Sequence, residues 1–163
     1  MGVMWFLKRS RVLHLIGFRN DIVFKIRKPE QLSEMMSSEV LKLAIAQYYT
    51  SLAAMDRESW LEILASDAVI YDPVGKPPLR VREDSQKFFD LIFKFYKQFE
   101  IVQEFVFIVK KEAAVKWTMQ VVAQNGRTAT AEGISVFEFN ENGKIAKIQS
   151  YWDEALLKAQ LIS

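Results

Sequence analysis

Asp72 stands between a short β-rich run, Ala68-Val-Ile-Tyr71, and the turn Pro73-Val-Gly75. A carboxylate fixed there, flanked by Tyr71 and Val74, would be partly desolvated at a cavity; burial of this kind raises a carboxyl pKa and makes a base. The same pattern fits an aspartate that starts the turn and hydrogen-bonds its own backbone ahead of the proline. Tyr48 shares a helical stripe with Leu41, Ala44, Ile45 and Leu52, so its phenol is directed inward and needs a partner there. A phenol aimed into a cavity donates to a developing oxyanion, whereas one with its hydroxyl near solvent is an ordinary core tyrosine. Ser135, on a strand lined by small Ala131 and Gly133, is either a further donor or a filler of space.

The rest of the composition narrows the chemistry. The chain has 163 residues, half of them hydrophobic and 26% charged, enough to pack one domain and too few for two large ones. It has no cysteine, which excludes disulfides, thiolate metal sites and cysteine nucleophiles. A reducing compartment is compatible with this, and a cytoplasmic location is the expectation. The single histidine, His14, removes Ser-His-Asp hydrolysis and multi-histidine metal sites, so acid–base work falls to carboxylates, tyrosine or lysine. No metal or cofactor is expected, and a net charge of +2 gives no argument for nucleic acid.

These candidates need elements to hold them. Val40, Leu41, Leu43, Ala44, Tyr48 and Leu52 recur at three and four residues behind Ser37-Ser38-Glu39, which predicts a helix to about Ala54. Asp56 is an N-cap for a shorter helix, Arg57 to Ala65, with Trp60, Leu61 and Leu64 on one face. A third helix is predicted over Glu83 to Phe99 from its aromatic face, Phe88, Phe89, Ile92, Phe93, Phe95, Tyr96 and Phe99. Four strand-like runs follow, 101–109, 113–124, 128–140 and 144–152, with Asn125-Gly126 and Asn142-Gly143 as hairpin signals. A terminal helix, Glu154 to Leu161, closes the chain behind Asp153 as cap. The order indicates an α+β domain with helices packed on one face of a curved antiparallel sheet.

Alternation divides the second long strand into a face carrying Val115, Trp117, Met119 and Val121 and one carrying Lys116, Thr118, Gln120 and Val122. An apolar outer face and a mixed inner lining would give a small-molecule cavity beneath the helices and a homodimer through the sheet behind. Plain core packing is the alternative for Trp117 and Met119.

Residues 1–34 differ in character from 35–163. They carry seven basic against three acidic residues, a net +4, and short apolar runs interrupted by basic clusters. No run reaches the roughly 20 apolar residues of a membrane span, and the basic cluster follows the first apolar run, unlike a secretory signal. This is a basic extension that either lies on an anionic membrane surface or grips a partner, or has no fold of its own and precedes a start at Met35 or Met36.

The ordered set Tyr48-Tyr-Thr-Ser-Leu52, Ala65-Ser-Asp-Ala68, Asp72-Pro-Val-Gly75, Asn125-Gly-Arg127, Phe137-Glu-Phe-Asn140 and Gly143-Lys144 resembles ketosteroid isomerases. These belong to the nuclear transport factor 2-like superfamily, alongside SnoaL-like polyketide cyclases. The resemblance covers about residues 38–160 and implies a conical α+β barrel, dimeric through its sheet, that moves a proton along an unsaturated ketone without a cofactor. It implies Asp72 as general base and Tyr48 as oxyanion-hole tyrosine. The family's second donor, a protonated aspartate, is replaced by Ser135, and a supporting tyrosine by Phe89. Wall positions that are apolar in the steroid enzymes become Thr118 and Gln120, while Phe137 and Trp152 keep aromatic surface. The expectation is therefore an enolate-forming isomerase or cyclase acting on a small hydrophobic or mixed-polarity ketone. A non-catalytic binding or dimerisation module is the alternative, and an epoxide hydrolase on this fold is a further one.

Overall fold

The computed structural model describes residues 29–162, with side chains from Ser38 onward. The basic extension, including His14, falls outside the described residues up to residue 28. The elements run α1 (Pro29–Ala53), α2 (Arg57–Glu62), β1 (Leu64–Tyr71), β2 (Leu79–Arg80), α3 (Val81–Phe95), β3 (Tyr96–Val109), β4 (Glu112–Ala123), β5 (Thr128–Phe139), β6 (Ile145–Tyr151) and α4 (Glu154–Ile162). This is the expected α+β domain, with a curved six-stranded sheet in the order β2-β1-β6-β5-β4-β3. The sheet is open, not closed into a barrel, with β3 as one edge.

Several boundaries differ from the sequence reading, each for a tertiary reason. The first helix is longer than expected and begins at Pro29. The second stops at Glu62, not Ala65, because the chain from Leu64 pairs in parallel with β6. The third stops at Phe95, not Phe99, because Tyr96 is already paired with Ala123. Both N-caps are as expected: Ser59 N donates to Asp56 Oδ1 at 3.1 Å, and Leu156 N donates to Asp153 Oδ1 at 2.9 Å.

The core lies between the helices and the concave face of the sheet. Ile45, Trp60, Phe89, Val115, Phe137, Ile145 and Ile148 are among its fully enclosed side chains. The inner face of β4 is the apolar one, Val115, Trp117, Met119 and Val121, and this corrects the expected orientation. Thr118 and Gln120 are turned to the opposite face, where Gln120 is exposed. Burying the apolar set against the helices removes far more apolar area from water than the reverse would, so the strand's phase follows the hydrophobic effect.

A bulge between Gln103 and Phe105 changes the phase of β3. Before it, Phe99 and Ile101 face inward; after it, Val106 and Ile108 do, and Phe105, Phe107 and Val109 face outward at 61%, 68% and 70% exposure. Two rows therefore cross the outer face from β3 to β6: Phe105, Lys116, Ile134, Tyr151 and Phe107, Ala114, Val136, Gln149.

Candidate functional site

Beneath the helices lies an open-mouthed cavity of about 790 Å³. Its interior end is polar. One register row explains this: Ser135 on β5 lies directly across from Ser150 on β6, and both are buried. The parallel pairing of β1 with β6 runs to Tyr71 opposite Gln149, so Asp72, the next residue, comes level with Ser150. Helix α1 supplies the opposite wall through Tyr48 and Tyr49, both 3% exposed.

Asp72 lines the cavity at the end of β1 and keeps solvent-accessible surface there. Its carboxylate does not close its own turn. Val74 N donates to Ser150 O at 2.8 Å and Lys76 N to Pro73 O at 3.3 Å, leaving the carboxylate to accept from Trp152 Nε1 at 2.5 Å. The Asp72-Pro73 peptide is cis. Burial raises the Asp72 pKa above the ordinary carboxylate value, the Trp152 hydrogen bond lowers it, and Glu154 and Lys76 act in opposite directions. The net shift is upward, the direction that makes a carboxylate a better base.

The donors face it. Burial pushes the Tyr48 phenol well above its usual pKa, with Asp72 and Tyr49 adding to the shift and Trp60 partly offsetting it. Burial does the same to Tyr49, with Ser135 offsetting and Asp72 adding. Both phenols are therefore neutral O–H groups at physiological pH. The Tyr49 hydroxyl is buried with no hydrogen-bond partner among the described residues. The rings are fixed edge-on to each other at 5.2 Å and against Phe137 at 5.4 and 5.9 Å.

Ser135 is held by its neighbours. Trp117 Nε1 donates to its Oγ at 2.8 Å, and the Ser135 and Ser150 hydroxyls share a hydrogen bond at 2.9 Å. Two hydroxyls carry two protons, and the bond between them uses one. Whichever serine donates, one proton of the pair remains to be offered to a bound oxygen. The indole reaches Ser135 because residue 133 is glycine: a Cβ there would sit 2.5 Å from the Trp117 ring and 2.8 Å from Tyr151 O.

Asp72, Tyr48, Ser135 and Trp152, singled out by the sequence, thus line one cavity. Phe89 and Phe137 stand behind its wall as core residues, 1% and 0% exposed. Thr118 and Gln120 do not line it; they border a separate groove with Glu100, Val102, Thr130 and Glu132, because alternation along β4 turns them away. Tyr49, Trp117 and Ser150 line the cavity without having been singled out for it. Tyr49 was legible, since Ile45, Tyr48, Tyr49 and Leu52 make a stripe at i, i+3, i+4 and i+7. Ser150 was not, because only the register brings it to Ser135. Among the described residues no three metal-ligating side chains come together.

The SnoaL-like domain family matches residues 45–148, more than half of the chain and every residue of this site except Ser150 and Trp152. The chain belongs to the SnoaL-like domain family. Solved structures of the nuclear transport factor 2-like fold agree with the assignment. A Mycobacterium tuberculosis protein, solved with estradiol-17β-hemisuccinate, is 25% identical with a TM-score of 0.64 over 72% of this chain and 96% of that one. A candidate polyketide cyclase of Xanthomonas campestris is 17% identical with a TM-score of 0.68, covering 77% and 98%. The Δ5-3-ketosteroid isomerase of a Mycobacterium species is 20% identical with a TM-score of 0.61, covering 72% and 95%. The last two likenesses are of fold. No helix among the described residues of this SnoaL-like domain is long and apolar enough to cross a membrane.

Proposed function

We propose that this SnoaL-like domain is a cofactor-independent enzyme that moves a proton on a small ketone through an enolate. The observation that carries the reading is Asp72: a carboxylate lining the cavity, held by Trp152 instead of by its own turn, with its pKa raised. In the proposed reaction the Asp72 carboxylate removes a proton from the carbon next to the carbonyl. The electron pair moves onto the carbonyl oxygen, which becomes the enolate. Tyr48 and the free hydroxyl proton of the Ser135–Ser150 pair donate to that oxygen where the charge develops. The Asp72 carboxyl then returns the proton to a different carbon, completing an isomerisation; or the enolate carbon attacks a second carbonyl carbon of the substrate, whose π pair moves onto its oxygen and takes the proton from the Asp72 carboxyl, completing an aldol cyclisation. Ser135 stands where the resembling isomerases use a carboxylic acid, and a serine hydroxyl is the weaker donor. The ketosteroid isomerase and the candidate polyketide cyclase of the same fold, and the estradiol ester held by the mycobacterial protein, are consistent with an apolar carbonyl substrate.

The outer face of the sheet belongs to the same proposal. Phe105, Phe107, Val109, Ile134 and Tyr151 are each about half or more exposed, an apolar area that a second copy of the chain would cover.

Incubation with a panel of unsaturated ketones and β-keto compounds in deuterated water tests the chemistry. Label is expected at the α and γ carbons with the wild type and at least a hundredfold less with Asp72→Asn. Ligand binding without label in the wild type would instead establish a binding module.

A further inference from the structure

The end of the cavity formed by the last turn of α3 and by α4 is cationic, and it is its mouth. Lys94, in the last turn of α3, and Lys158, on α4, both line it, beside exposed Phe95 and Ile162. Glu154 is the one acidic group there, and it is already shared by two lysines: Lys158 at 2.9 Å and Lys76. Burial raises the Glu154 pKa but the two ammonium groups outweigh it and hold it below the usual range, so it is ionised. Lys94 has no carboxylate partner among the described residues. Its ammonium instead lies 5.7 Å from the Phe95 ring centroid. The nearby amide of Gln124 donates to the backbone oxygens of Phe93 and Tyr96, which ties the β4–β5 turn to the end of α3 without neutralising the lysine.

The interior end has the opposite character. Its lining holds the Asp72 carboxylate and neutral hydroxyls, and Lys76, whose charge reaches Asp72, does not line the cavity. Between the two ends the wall is apolar, through Leu52, Phe88, Ile92, Phe99, Ile101 and Met119. A ligand anion would be repelled at the Asp72 end and attracted at the mouth, so charge alone allows an anionic ligand only one orientation.

We infer that the ligand of this cavity is an amphipathic acid: a carbonyl or enolate oxygen seated among Tyr48, Ser135 and Ser150, an apolar body along the wall, and an anionic group at the mouth against Lys94. This deepens the proposed proton-transfer reading and rests on it. Lys94 is a specificity residue here, since it meets the far end of the ligand and not the reacting atoms.

Three matched probes test it by calorimetry: a 4-alkylphenol, whose phenol mimics the enolate, and the same molecule carrying a terminal carboxylate or a terminal phosphate. The anionic probes should bind roughly two- to fivefold tighter than the neutral one at low salt, as expected for a partly exposed ion pair. The advantage should fade toward 0.5 M salt, in line with about 4 Å screening at that strength. Lys94→Gln should bring the anionic probes to the affinity of the neutral phenol without changing that phenol's affinity, and Lys94→Arg should keep the preference. Whichever anion binds tighter identifies the group recognised. Equal binding of all three probes to the wild type, or a preference that survives Lys94→Gln, overturns the inference while leaving the enolate reading standing. Failure of all three, the neutral phenol included, overturns both.

Discussion

The Trp152 indole and the Asp72 carboxylate form a pair whose two effects have opposite signs. Burial raises the Asp72 pKa and the indole N–H lowers it, so the group stays ionisable while remaining basic. Trp152→Phe keeps a ring edge-on to Trp117, now 6.2 Å away, and removes only the donor. The acid limb of the pH–rate profile should then move to higher pH; an unmoved limb would show that Asp72 is not the group that titrates. The same shift affects stability. Above the ordinary carboxylate pKa and up to the raised native value, the native state binds more protons than the unfolded one, so stability falls as pH rises through this window. Asp72→Asn should therefore melt at a higher temperature than the wild type at neutral pH, with the difference vanishing below the ordinary carboxylate range. Scanning calorimetry at both pH values checks this. Tyr48→Phe deletes one hydroxyl from an otherwise fixed ring and should cost on the order of a hundredfold in turnover with the fold intact.

At the scale of elements, the site depends on strand register more than on any single residue. Gly133 lets the Trp117 indole lie across β5 and reach Ser135. Gly133→Ala would place a methyl group against that ring and against the Tyr151 carbonyl, costing about 1–3 kcal/mol by overpacking. Urea unfolding measures the loss, and near-ultraviolet circular dichroism should show a displaced tryptophan. Asp56 acts on a helix alone: Asp56→Ala removes the cap of α2 and should lower the melting temperature without altering the cavity. The helices, both hairpins and the aspartate caps were legible because their signals are local. The end of α3 was not. Ile92, Tyr96 and Phe99 satisfy helical spacing, while Phe99 and Ile101 satisfy strand spacing, so only the pairing of Tyr96 with Ala123 decides between them.

For the whole molecule, the proposed dimer follows from the outer sheet face. Phe107→Lys places a charge at the edge of that apolar surface and should shift sedimentation from a dimer toward a monomer while leaving the far-ultraviolet spectrum unchanged. Sedimentation of the wild type as a monomer at high concentration would remove the proposal. The bulge in β3 is what puts Phe105 and Phe107 there, by changing which of alternate residues faces out.

Sequence alone determined the α+β class and the hairpins and singled out Asp72, Tyr48 and Ser135 as candidates, because helix periodicity, turn chemistry and ordered motifs act over a few residues. Tertiary structure decided which face of β4 looks inward, and with it the removal of Thr118 and Gln120 from the cavity. It also joined Ser150 to Ser135 and Trp152 to Asp72, side chains 15 and 80 residues apart. Those contacts depend on strand register and on burial of the larger apolar face, which are properties of the packed sheet and are written in no local stretch of the chain.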